Sequence, residues 1–184
     1  MKSRKVLKVL LLILSVSILI RLFIGEPCTI PSESMYPAIL AGDRMWIDYT
    51  VYGARLPRRF ADIPIVNVFT WIKPLREADQ RMDWGYKRLK GKRQPKAGDI
   101  AVFESPEFPH PLVVKRIDSV KQENGMNYYY MLGDNRKNSH DSREFGYIPD
   151  SLIVGRINVV LYSLHRDRIF PLNIRWNSFL KKIK

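Results

Sequence analysis

The sequence predicts a mainly β protein: an N-terminal transmembrane helix followed by a small antiparallel β-rich domain. Three observations carry that expectation. Residues 6–24 (VLKVLLLILSVSILIRLFI) are nearly all apolar, whereas the chain beyond them breaks into short alternating or apolar runs separated by turn residues. A length of 184 residues suits one compact domain with an appendage. Hydrophobic residues at 46% and charged residues at 27% exclude wholesale disorder, and no internal repeat or low-complexity period is present.

The apolar run reaches across roughly 30 Å of hydrocarbon at about 1.5 Å per residue, provided Lys8 and Arg21 snorkel toward the headgroups. A removed secretory signal and a buried core helix are the competing readings. No small-x-small cleavage site follows the run, where bulky Leu22, Phe23 and Ile24 stand, and the pattern is not amphipathic, so a retained signal anchor is favoured. Lys2, Arg4, Lys5 and Lys8 crowd its first flank against Arg21 alone on the second, which places the N-terminus in the cytoplasm. The expected organisation is a cytoplasmic N-terminus at 1–5, an anchor at 6–24 and an extracytoplasmic domain at 25–184.

Five runs in that domain read as strands: residues 44–49 (RMWIDY), 99–103 (DIAVF), 112–117 (LVVKRI), 128–132 (YYYML) and 157–162 (INVVLY). Asn124-Gly125 is the best hairpin signal, within a short connection expected at 121–127. Between residues 56 and 95 the pattern fails, with Pro64 interrupting an apolar stretch and six basic residues in the ten from 87 to 96. This is read as an inserted surface excursion, either a solvated basic loop or a segment whose Phe69, Trp71, Ile72 and Trp84 dip into the lipid interface. The stretch 166–184, with Arg166, Phe170, Trp176 and Phe179, has a similar mix.

Thirty-one Lys and Arg against eighteen Asp and Glu give a net charge of +13, which suits either nucleic acid or anionic lipid. An anchored, exported chain favours the lipid bilayer with its anionic phospholipids over nucleic acid. One cysteine, Cys28, and three histidines offer neither a disulfide framework nor a cluster at metal-ligand spacing, so no metal and no cofactor are expected. Oligomeric state is not legible.

Three segments carry chemistry. Residues 30–37 (IPSESMYP) place two serines one residue apart between prolines, a stiffened loop presenting hydroxyls or an ordinary turn. Within 112–117, period-two alternation turns Lys115 to the face opposite Val114 and Arg116. If that face is the inner one, burial disfavours the ammonium and leaves an amine able to take a proton from serine; an edge-strand lysine guarding against aggregation is the alternative. Residues 133–143 (GDNRKNSHDSR) form a dense polar stretch in which Asp141 and Arg143 pair.

Together these segments resemble the bacterial type I signal peptidases, membrane-bound serine proteases that use a Ser-Lys dyad. PSESMYP is similar to the family's P-S-x-S-M-x-P box, VVKRI to its Lys-Arg strand and GDNRKNSHDSR to its G-D-N-x-x-x-S-x-D-S-R box. AGDRMWIDYTVYG and PKAGDIAVF add weaker likenesses, so the resemblance covers most of the chain outside 56–95. It implies that Ser34 is the nucleophile and Lys115 its general base. It further implies that Ser32 joins the Ser34 backbone N–H in the oxyanion hole, that Ser139 orients the lysine, and that Asp141 and Arg143 support it. His140 as a conventional triad base is the minor alternative. Ile30, Pro31, Met35, Ile39, Val113 and Val114 correspond to shallow apolar pockets that accept small residues at the −1 and −3 positions of a preprotein signal peptide. The departures are Pro37-Ala38-Ile39 in place of Pro-Thr-Leu, and Ile117-Asp118-Ser119-Val120 in place of Gly-Leu-Pro-Gly-Asp. A self-cleaving Ser-Lys repressor and a non-catalytic membrane-surface binding protein are the competing classes.

Overall fold

A computed structural model describes residues 2–107, 111–164 and 174–183; Arg166 and Phe170 of the C-terminal stretch lie outside the described residues. Helix α1 (Lys2–Phe23) begins four residues before the apolar run, and its 22 residues extend about 33 Å. No residue of the apolar span Arg4–Phe23 is buried in the protein. A helix apolar on all sides needs an apolar surround, and no protein core supplies one, which removes the core-helix alternative.

Only Ile24 separates α1 from strand β1 (Gly25–Thr29), and its carbonyl accepts from the Tyr49 N–H at 2.9 Å. β1 has none of the β-branched alternation that marks a strand in sequence. It forms because Gly25 to Thr29 pair in antiparallel register with Asp48 to Arg44 of β2 (Asp43–Asp48). Pro27 is tolerated because β1 is the edge strand of the sheet.

The excursion leaves and returns through a short bridged stem: Leu56 N donates to Lys87 O and Leu89 N to Ala54 O, both at 2.9 Å. Between lie two 3₁₀ turns (Phe60–Asp62 and Val66–Trp71) and helix α2 (Lys73–Gln80). Trp84 packs edge-on against Phe60 with ring centroids 4.9 Å apart, so it is tied to the excursion's own small cluster.

The rest follows as β3 (Ile100–Glu104), β4 (Leu112–Glu123), β5 (Met126–Leu132), a one-turn helix α3 (Ser142–Phe145), β6 (Ile148–Pro149), β7 (Ile153–Ser163) and β8 (Lys181–Lys182). The sheet order is β1-β2-β7-β3-β4-β5-β6, with β8 also on β7, and every pairing is antiparallel. The expected connection at 121–127 is corrected: β4 continues to Glu123 and β5 starts at Met126, leaving Asn124 and Gly125 at φ 51° and 77°. Those are the positive angles a two-residue primed turn requires, so the strand ladder runs right up to it.

Both faces of the sheet are buried. Ile100, Val102 and Val114 join Ile30, Met35, Ile39, Met45, Ile47 and Ile157 on one side. Ala101, Phe103 and Ile117 join Tyr129, Met131, Ile148 and Ile153 on the other.

Candidate active site

The site forms where β4 has an open edge. β4 pairs with β3 along Leu112 to Arg116, but with β5 only from Arg116 onward. Leu112 to Lys115 therefore have one unpaired strand edge, and they line a cavity of about 390 Å³ together with the end of β1 and the loop carrying Ser32 and Ser34. Ile30, Pro31, Met35, Val113 and Val114 line this cavity. Ile39 does not: it is fully buried in the core cluster with Met35 and is not among the lining residues.

Lys115 is 3% exposed. Because both sheet faces are covered, burial falls on Lys115 and on its neighbour Val114 alike, and alternation alone could not have told which was inner. Desolvation lowers the Lys115 pKa; the Asp141 carboxylate opposes that shift and the Arg143 guanidinium adds to it.

A chain of hydrogen bonds fixes the amine. Lys115 Nζ donates to Ser139 Oγ at 2.9 Å, and Ser139 Oγ donates to Asp141 Oδ2 at 2.8 Å. Asp141 is wholly buried. Burial would raise its pKa, but the Arg143 guanidinium, the Gly133 N–H and the Ser139 hydroxyl outweigh burial and hold the carboxylate well below its ordinary range. An ionised Asp141 accepts only, so the Ser139 proton is committed to it and Ser139 Oγ is left to accept from lysine. That geometry consumes an N–H of Lys115 and leaves its lone pair for another proton.

Ser34 Oγ is 3.3 Å from Ser32 Oγ. Ser34 and Lys115 line the same cavity without a direct hydrogen bond between their side chains, the Ser34 hydroxyl lying against that of Ser32. His140 makes no hydrogen bond to Ser34. Its Nε2 is 2.7 Å from Glu107 Oε2 and its Nδ1 is 2.5 Å from Glu144 Oε2, so both ring nitrogens are engaged by carboxylates. Cys28 also lines the cavity, but burial first and the Glu26 charge second push its thiol up to about 11, leaving little thiolate to compete as a nucleophile.

Three residues that the sequence reading left without a role hold the loops together. Asn135 N donates to Ser34 O at 3.0 Å and Asn135 Nδ2 to Glu33 O at 3.3 Å, stitching the polar stretch to the serine loop. Ser142 Oγ accepts from Met131 N at 2.8 Å inside the core. Gly133 lies between the serine loop and Ser139: a Cβ there would stand 2.1 Å from Ser139 Oγ and 2.6 Å from Ser34 O. The motif contained these residues, but only the folded contacts give them work. Gly133→Ala must therefore push Ser139 and Ser34 apart. The expected result is a fall in kcat of about 10²-fold or more, the scale of a misplacement of about 1 Å, with secondary structure retained by circular dichroism.

An alcohol, a desolvated amine and an unpaired strand edge facing one cleft are what a serine endopeptidase acting on extended peptides needs. Comparison with known proteins narrows the class. The family profile described as "Signal peptidase, peptidase S26" matches residues 3–124 and 118–162, and the chain belongs to that family. It is similar to "Signal peptidase I" of Leptolyngbya laminosa, 29% identical over 153 residues that cover 80% of this chain and 73% of the relative. It is likewise similar to "Signal peptidase I T" of Bacillus subtilis, 29% identical over 179 residues covering 88% and 86%. "Signal peptidase I" of Bacillus amyloliquefaciens is 27% identical with the same coverage of each chain. The chain is a signal peptidase-type serine protease, and α1, the one helix among the described residues long and apolar enough to cross a membrane, fits membrane anchoring.

Proposed function

We propose that this chain removes signal peptides from exported preproteins at the outer face of the bacterial cytoplasmic membrane, with its N-terminus in the cytoplasm. In this reading Ser34 is the nucleophile and Lys115 the general base. The observation that carries it is the lysine: an amine kept dry, donating to a serine whose own proton is committed elsewhere, and lining the cavity that also holds Ser34.

The preprotein lies extended along the open edge of β4, adding a strand, with its −1 and −3 side chains against Ile30, Pro31, Met35, Val113 and Val114. The Ser34 hydroxyl rotates from Ser32 toward Lys115, which takes its proton while Ser34 Oγ attacks the scissile carbonyl carbon. Ser32 Oγ and the Ser34 N–H donate to the oxyanion; such a donor is worth about 3 kcal/mol of barrier. The Lys115 ammonium then protonates the departing amine, and water, deprotonated by the same lysine, releases the acyl group from Ser34. Asp141 and Arg143 act through Ser139 rather than on the substrate. Anchoring enzyme and signal peptide in one bilayer raises their effective concentration without a strong binding site.

The test uses the full chain in detergent with a labelled preprotein bearing alanine at −1 and −3, beside versions bearing leucine at either position. Cleavage of the alanine substrate, with losses of about 10²-fold or more for each leucine, is expected. Equal cleavage of all three would overturn the pocket assignment.

A further inference from the structure

The excursion at 56–95 contributes no residue to the cavity that holds Ser34 and Lys115, and its surface carries large exposed apolar side chains. Trp71 is 80% exposed, Phe69 61% and Ile72 53%, on the second 3₁₀ turn and the residue that follows it. Lys73 and Arg76 come next on α2, and the whole excursion holds ten Lys and Arg against four Asp and Glu. An aromatic and aliphatic run bordered by basic side chains is the composition of a segment lying in a membrane interface.

Its position is set by the anchor. Because one residue links α1 to β1 and its carbonyl is bonded to Tyr49, no flexible linker lifts the domain from the end of the helix. Arg21 and Leu22 of the last turn of α1 line a cleft of about 900 Å³ together with Arg58, Arg59, Ile65 and Asn67 of the excursion. With α1 across a bilayer, Arg21 sits at headgroup level, and whatever shares a cleft with it sits near that level too.

We propose that the excursion is an interfacial platform seated in the outer leaflet, with Phe69, Trp71 and Ile72 below the headgroups and its basic residues against anionic phospholipids. The platform holds the cleft of β4 at a fixed height and tilt over the membrane, so that a membrane-held substrate meets it in register. The inference rests on α1 spanning the bilayer and is independent of which groups carry out the cleavage.

The experiment reconstitutes the full chain into vesicles of mixed phosphatidylglycerol and phosphatidylcholine with acyl-chain bromines. Wild type is compared with Trp71→Phe, the difference reporting Trp71 alone, and iodide is present on both sides. Leu12→Trp in the Trp71→Phe background marks the bilayer interior. The expected result is a Trp71 component quenched by bromolipid and shielded from iodide, each by about twofold or more, and weaker lipid quenching in pure phosphatidylcholine. Free quenching by iodide without lipid quenching overturns the proposal, as does shielding from both quenchers, which would mean a protein occupant. Lipid quenching that is identical in the two lipid mixtures overturns the role given to the basic residues. If the Leu12→Trp component is not quenched by lipid, the anchor and the platform fall together; the cleavage reading is unaffected by any of these outcomes.

Discussion

Ser34→Ala and Lys115→Ala should each reduce preprotein cleavage by on the order of 10⁴ to 10⁶ in kcat, and the double variant should be hardly worse than either, because nucleophile and base act as one unit. Single-turnover cleavage of a labelled preprotein measures this directly. The pH profile of the wild type adds a signature that a structural role would not produce. Only the neutral amine accepts a proton, so the rate should rise with pH through the lowered pKa of Lys115, and the limb should lie below the ordinary lysine range near 10.4. The same burial has a consequence for stability with a definite sign. Between the lowered folded pKa and the ordinary unfolded one, the unfolded chain binds more protons, so stability rises with pH across that window; below it the cost of burying the amine is felt in full. Lys115→Met removes that cost, and Ser139 keeps Asp141 as its acceptor. The variant should therefore melt a few degrees higher than wild type at neutral pH while cleaving nothing, a difference that fades as pH approaches the unfolded lysine range. A Lys115→Met protein that cleaves at the wild-type rate would end the dyad assignment.

Much of this arrangement was legible in the residues themselves. Turn residues and alternating runs marked β2, β3, β4, β5 and β7, and Asn124-Gly125 marked its hairpin, because those signals are local: φ preference and period-two burial act within a few residues. β1 was not legible. Gly-Glu-Pro-Cys-Thr has no strand propensity of its own and is extended only because β2 offers it a ladder. Lys115 was half legible. Alternation told which side it took, but a strand buried on both faces makes that side neither inner nor outer in sequence. The ion pair of Arg116 with Asp134, two parallel bonds of 2.8 Å from Nε and Nη2, joins residues eighteen apart and has no local signature. Gly133 and Asn135 belong to the same class. Their roles are contacts with the serine loop about a hundred residues away, which only the closed fold brings about.

Asp141→Asn should be the most damaging change outside the dyad. The carboxylate accepts from Gly133 N at 3.0 Å, Ser139 Oγ at 2.8 Å, and Arg143 N, Nε and Nη2 at 3.3, 2.8 and 3.0 Å. An amide must turn an NH₂ toward at least one of these donors and gives up the charge that strengthens the rest, so a destabilisation of about 2 to 4 kcal/mol is expected. The lower part of that range is the better expectation, because the Arg143 side chain is half-exposed and can be rehydrated. The sign with pH follows from the lowered pKa of Asp141. Its contribution is fully present above the ordinary carboxylate range near 4 and drains as pH falls through the lowered value, so wild type and Asp141→Asn should converge in urea midpoint toward strongly acid pH. Activity should fall for a separate reason. Once Asp141 no longer requires the Ser139 proton, Ser139 is free to donate it to Lys115 Nζ, occupying the lone pair that must accept the proton of Ser34. A loss of about 10² to 10³ in kcat with KM within a few-fold of wild type is the expected split, because the substrate touches β4 and the serine loop and not Asp141. A variant that loses stability while keeping kcat would show that the carboxylate merely holds the loop and leaves the direction of the Ser139 hydrogen bond unchanged.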